Sequence, residues 1–192
     1  MAQDNQILNI SEKYKYIWWG PERTGSRTVA EVLSYFDFKR GGMPIYQAGQ
    51  HDYRHTCYMP DSVKDYGLIC SARNPYARTL SIFTTLFPSY TDKSVDGFKK
   101  FIKYHLNGHE LLRMIASPIF TKIPDYIIRL EYLKEDFMKL PFLNDVLSER
   151  HIDMMIQHGK EMVTWEDYYD DETKEIVYGF TKHHFNMFKY EK

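Results

Sequence analysis

The chain has 192 residues, 43% of them hydrophobic and 27% charged, with a formal net charge of −1. That profile excludes a disordered or collagen-like chain and allows one domain, 1–192, with a core of its own. The near-neutral charge excludes the global basic field of a nucleic-acid binder, so an anion site has to be local, built from a few placed Arg and Lys.

The only cysteines, Cys57 and Cys70, lie in different segments without a CxxC pair. This argues against a disulfide framework and a structural zinc site, and predicts a reducing, cytoplasmic setting. Met1 to Tyr16 is polar and charged with no stretch of signal-peptide character. No run approaches the ~20 apolar residues of a membrane span, so no membrane partner is expected.

In chain order, Tyr14–Trp19 is aromatic, short and β-prone, and leads into the turn signal Gly20-Pro21. After Gly25, Val29, Val32, Leu33 and Phe36 recur at helical spacing. Gly41 to Gly49 reads as a loop with room for a short strand. Tyr66–Ala72 is a second buried strand, ending at Arg73-Asn74-Pro75, where Asn74 suits a helix cap and Pro75 the first helical position. That helix is expected to run to about Phe87, with further helices at Val95–Leu106 and His109–Ile115. Tyr126–Leu130 is a third strand, followed by a helix at Leu133–Lys139. Asp171 to Phe188 predicts a last helix with Ile176, Val177, Phe180, His184 and Met187 on one face. Strands alternating with helices predict an α/β fold, a P-loop-like three-layer α/β/α arrangement around a central parallel sheet.

Gly20-Pro21-Glu22-Arg23-Thr24-Gly25-Ser26-Arg27-Thr28 carries the most chemical information. A loop between a strand and a helix exposes free backbone N–H groups at the positive end of the helix dipole. Gly25 allows close backbone approach, Ser26 and Thr28 add hydroxyls, and Arg23 and Arg27 add charge, which together describe a phosphate receptor. The bland alternative is an ordinary helix start after a turn. The glycine spacing also matches the P-loop of nucleotide kinases. There, however, Ser26 stands in place of the lysine and Arg27 in place of the magnesium-binding hydroxyl, so ATP–magnesium fits poorly.

Pro21–Thr28 resembles the 5'-phosphosulfate loop of sulfotransferases that use 3'-phosphoadenosine-5'-phosphosulfate (PAPS), typically Pro-Lys-(Thr/Ser)-Gly-Thr-Thr. Arg23 takes the place of the family lysine, as in tyrosylprotein sulfotransferases; Glu22 is an extra residue, and Arg27 replaces a small hydroxyl residue. Ser71 to Ser81 resembles the family's 3'-phosphate motif, roughly Arg-(Asp/Asn)-Pro-x-x-Arg-x-x-Ser. The resemblance assigns Arg73 and Ser81 to the 3'-phosphate and Arg78 to the middle arginine. A guanidinium fork with a hydroxyl suits a phosphate dianion, and positions 78 and 81 share a helix face. Taken singly, a surface ion pair for Arg73 and a solvent-facing Ser81 are the plainer readings. Ile127–Phe137 and Tyr168–Tyr190 resemble later segments of the carbohydrate-type members, with Glu131 and Asp136 read as organising the fold.

The resemblance implies sulfuryl transfer from PAPS to a hydroxyl or amine of a small-molecule or carbohydrate acceptor, leaving adenosine 3',5'-bisphosphate. Arg23 would take charge on the leaving phosphate. Carbohydrate-type members place a catalytic His or Glu between the two phosphate motifs. Here that segment holds His51 and His55, with His55 taken first as the base and His51 second. Lys160, in His158-Gly159-Lys160, is a further nucleotide contact on this reading. Two plain loop histidines are the alternative; their i, i+4 spacing could serve a metal, but a third ligand is wanting, and no metal is expected. The rival functions are a P-loop kinase-like phosphotransferase and an inactive nucleotide-binding relative.

Overall fold

The computed structural model describes residues 7–21, 23–44, 56–57, 63–87, 90–105, 119–120, 123–143 and 164–192. Contacts divide the chain into two compact units, Met1–Ala72 with Pro118–Lys160, and Arg73–Ser117 with Glu161–Lys192.

The first unit is built on a five-stranded sheet ordered β3-β1-β2-β5-β7. Its strands are β1 (Ile7–Ser11), β2 (Tyr16–Trp19), β3 (Lys39–Pro44), β5 (Gly67–Ala72) and β7 (Tyr126–Arg129). Strands β2, β5 and β7 are parallel, with Trp18 opposite Ile69 and Ser71 opposite Ile128. Strand β1 runs antiparallel to both β2 and β3, so the sheet is mixed and not the parallel sheet the sequence predicts. The reason is local. A turn of four residues joins β1 to β2, and Lys15 adopts φ 58 in it, a hairpin geometry that only an antiparallel pair allows. The short strands β4 (Thr56–Cys57) and β6 (Ile119–Phe120) pair in parallel apart from this sheet.

Helix α1 (Ser26–Ser34) follows β2 and buries Val29, Val32 and Leu33 at the spacing the sequence shows. They pack with Trp18, Ile69 and Ile128 from one face of the parallel strands and with Phe137, Leu140 and Leu143 from beyond β7. On the other face Ile17, Trp19, Leu68 and Cys70 are also buried. Burial on both faces is the normal state of parallel strands and explains their continuous apolar runs. After β7 the chain makes a 3-10 turn (Leu130–Tyr132) and the short helix α4 (Leu133–Phe137). Asp136, 2% exposed, accepts from the Arg129 backbone N–H at 3.0 Å, from Arg129 Nε at 2.8 Å and Nη2 at 2.9 Å, and from Lys139 Nζ at 2.6 Å. Burial alone would raise its pKa, but these donors outweigh it and hold the carboxyl below its ordinary value. Asp136 thus has the organising role expected of it.

The second unit is helical: α2 (Pro75–Leu86), α3 (Val95–His105) and α5 (Asp171–Phe188). Its core is aromatic, with Tyr76, Phe83, Phe98, Phe101, Tyr169 and Phe185 buried together. The Tyr169 hydroxyl donates to the Tyr76 carbonyl at 3.0 Å, tying the segment before α5 to α2. Lys93 donates to the carbonyls of Phe83 and Phe87, both at 2.7 Å, and satisfies the end of α2, where the last carbonyls have no intrahelical N–H donors. The helix predicted at His109–Ile115 lies outside the described residues.

Candidate anion site

The loop that the sequence singles out runs from the carboxyl end of β2 into α1. Two of its residues are left-handed, Arg23 at φ 65 and Gly25 at φ 76. Gly25 is the N-cap of α1, no side chain caps the helix, and its first turn holds no acid. The N–H groups at the start of α1 therefore have no intrahelical acceptor and, among the described residues, no side-chain cap, and no acid stands in the first turn of the helix. Arg23, Ser26 and Thr28 are half-buried around this helix start and Arg27 is exposed.

The roles of individual loop residues are sharper than the sequence allows. Thr24 is 2% exposed and its Oγ1 donates to the Pro21 carbonyl at 2.6 Å, so its hydroxyl braces the loop from inside. Gly25 was expected to give an anion room. In the structure a β-carbon at Gly25 would run into Leu130 Cδ1, so packing and the positive φ both demand glycine. Leu130 follows directly after β7, so this contact spans the carboxyl edge of the parallel strands, where open α/β sheets bind ligands. On Gly20 a β-carbon would lie 2.5 Å from Trp18 Cζ2 and 3.0 Å from Ser26 Cβ. Trp18 and Leu130, packed against Gly20 and Gly25, form a supporting set that the sequence reading missed. Only the paired glycines hinted at it.

In the second unit, Asn74 caps α2 as predicted: its Oδ1 accepts from the N–H groups of Tyr76 at 2.9 Å and Ala77 at 3.4 Å, with Pro75 at the first helical position. Arg73, half-buried, precedes this cap. Arg78 and Ser81 are both buried, 7% and 9% exposed, so Ser81 is not a solvent-facing residue. On α5, His184 is 3% exposed and its ring stacks on Phe188 at 5.5 Å. Burial, then the nearby charge of Arg78, then His183, lower its pKa to about 2, so the imidazole is neutral.

His51, His55, Glu22 and Lys160 lie outside the described residues. Among the described residues no group of three or more His, Cys, Asp or Glu is placed to hold a metal ion. None of the helices among them is long and apolar enough to cross a membrane.

No family model, curated protein or solved structure matches the chain.

Proposed function

We propose that the chain is a PAPS-dependent sulfotransferase, with a P-loop-like three-layer α/β/α core, acting in the cytoplasm on a hydroxyl or amine of a small-molecule or carbohydrate acceptor. The observation that carries the reading is the start of α1. It is a helix N-terminus with no side-chain cap among the described residues and no acid in its first turn, entered from a parallel strand through left-handed Arg23 and Gly25. This donor set suits a doubly charged phosphate or phosphosulfate group. The Arg-Asn-Pro motif supports it: Asn74 caps α2, and Arg78 and Ser81 are buried on that helix in place of ordinary core residues.

On this reading PAPS supplies an activated sulfuryl group on a phosphate leaving group. Arg23 and the N–H groups of Gly25 and Ser26 hold the 5' end and stabilise negative charge there as the bond to sulfur breaks. Arg73, Arg78 and Ser81 hold the 3'-phosphate, Thr28 adds a hydroxyl at the 5' end, and Lys160 adds charge. The acceptor oxygen or nitrogen forms the new bond to sulfur and gives its proton to a base, His55 first and His51 next.

Nucleotide selectivity tests the reading. A ligand that binds only the native state raises its stability by RT ln(1 + [L]/Kd), so adenosine 3',5'-bisphosphate should raise the melting temperature more than ADP does. Arg73→Ala should remove most of that difference, a loss of roughly 1.5–3 kcal/mol for a charge-assisted contact. Equal shifts with the two nucleotides, or a larger one with ATP–magnesium, would favour the kinase-like reading. A selective shift without turnover on any acceptor would leave the inactive relative.

A further inference from the structure

We propose that Trp18 is a positioning residue for the anion loop, and that its hydrogen bond to Ser71 sets where the start of α1 presents its N–H groups. The purpose of this device rests on the nucleotide reading above. Trp18 is 3% exposed, and its indole Nε1 donates to Ser71 Oγ of the neighbouring strand at 2.8 Å. Ser71 is fully buried. An indole N–H in such a setting needs its acceptor, so the hydrogen bond holds the ring in one orientation.

The ring edge held in this way lies directly against the loop. The point where a Gly20 β-carbon would stand is 2.5 Å from Trp18 Cζ2, 2.9 Å from Cη2 and 3.0 Å from Ser26 Cβ. The first residue of the loop therefore sits between the indole edge and the first residue of α1, so turning the ring would press on the loop where it meets the helix. Leu130 fills the space beside Gly25 from another side, and Thr24 braces the middle through the Pro21 carbonyl. A loop fixed at its entry, middle and exit is ordered before any anion arrives. Dipoles fixed in advance bind charge without an ordering cost at the moment of binding.

The test uses the full chain with Trp18→Phe, which keeps an aromatic ring and deletes the N–H, Ser71→Ala, which deletes the acceptor, and the double variant. Two quantities are read: hydrogen exchange at the amides of residues 24–29 without ligand, and Kd for adenosine 3',5'-bisphosphate. Each single variant should speed loop exchange and weaken binding by about fivefold, the size of one net hydrogen bond. The double variant should add little, because both singles remove the same bond. Amides of β7, which holds neither substituted residue, are the internal control, since global destabilisation would speed them equally. Unchanged loop exchange in both singles, a uniform rise that includes β7, or fully additive effects would overturn the proposal. If Ser71→Ala does not fold, Trp18→Phe carries both readouts. If the unaltered protein prefers adenosine 3',5'-bisphosphate no more than ADP, the nucleotide reading falls, while loop exchange still decides the role of Trp18.

Discussion

Arg23 combines a charge with a backbone angle that charge does not require. At φ 65 its Cβ crowds the following carbonyl, which costs a non-glycine residue roughly 1–2 kcal/mol. Glycine would remove that cost, so an arginine here points to a use for its side chain. Two substitutions separate the two properties. Arg23→Gly should leave the protein as stable as, or up to about 1 kcal/mol more stable than, Arg23→Ala, because only glycine adopts this angle freely. On the nucleotide reading proposed above, both should lose about tenfold or more in affinity for adenosine 3',5'-bisphosphate, since each removes the guanidinium. Denaturant midpoints and nucleotide titrations of the two variants check this. If Arg23→Ala binds normally, the guanidinium is not a phosphate contact.

At the scale of elements, helix α5 shows how a local signal can be legible while its orientation is not. Its limits, Asp171–Phe188, are those the sequence predicts from apolar periodicity. The buried stripe, however, runs through Thr173, Val177, Thr181, His184 and Phe188, while Ile176, Phe180 and Met187 are only partly covered. Two threonines stand in positions that a hydrophobicity count leaves to solvent. Thr181 can be buried because its hydroxyl donates to the Val177 carbonyl at 2.7 Å, and Thr173 because it completes a capping box with Asp170. The parallel strands and Asn74 were legible for the opposite reason: apolar runs and a cap before proline act within a few residues. Strand β1 was not: Ile7, Leu8 and Ile10 are apolar but too few to set a period on their own, and the pairing is fixed by the hairpin turn and by β3. Likewise, the supports of the anion loop come from β2, β5 and the residue after β7, and no spacing rule links those. Asp170 offers a test at this scale. Its Oδ1 accepts from the Thr173 N–H at 2.9 Å, and Lys99 lies 3.0 Å from its other oxygen. Asp170→Ala should cost about 1 kcal/mol, whereas Asp170→Ser, which keeps a cap, should cost less than half as much. Melting temperatures of the two variants decide it, and equal losses would mean the cap is not what holds the start of α5.

Over the whole molecule, acid stability should fall in two separate windows, with different residues responsible for each. Asp136 in one unit and Asp170 in the other both have pKa values held below normal, Asp170 chiefly by its hydrogen bonds from Thr173. A depressed carboxylate contributes stability above its unfolded pKa, and that share is lost only as pH falls below about 4. His184 acts earlier and with the same sign for a different reason. Buried and beside Arg78, it stays neutral in the folded protein down to about pH 2, whereas an exposed imidazole takes up a proton near its ordinary value of 6.5. Between those limits the unfolded chain binds one proton more than the native one, so stability rises with pH and is lost as pH drops below about 6.5. The slope approaches about 1.4 kcal/mol per pH unit once the unfolded imidazole is charged. His184→Gln removes this titration while keeping a polar side chain of similar reach. Urea midpoints measured from pH 7.5 to 4.5 should fall for the unaltered protein and fall less steeply for His184→Gln, with the two curves converging toward acid. The difference between the two curves reads His184 together with its coupling to His183, whose ring lies 4.1 Å away. Parallel curves across that range would show that His184 gains its proton in the folded state as readily as in the unfolded one.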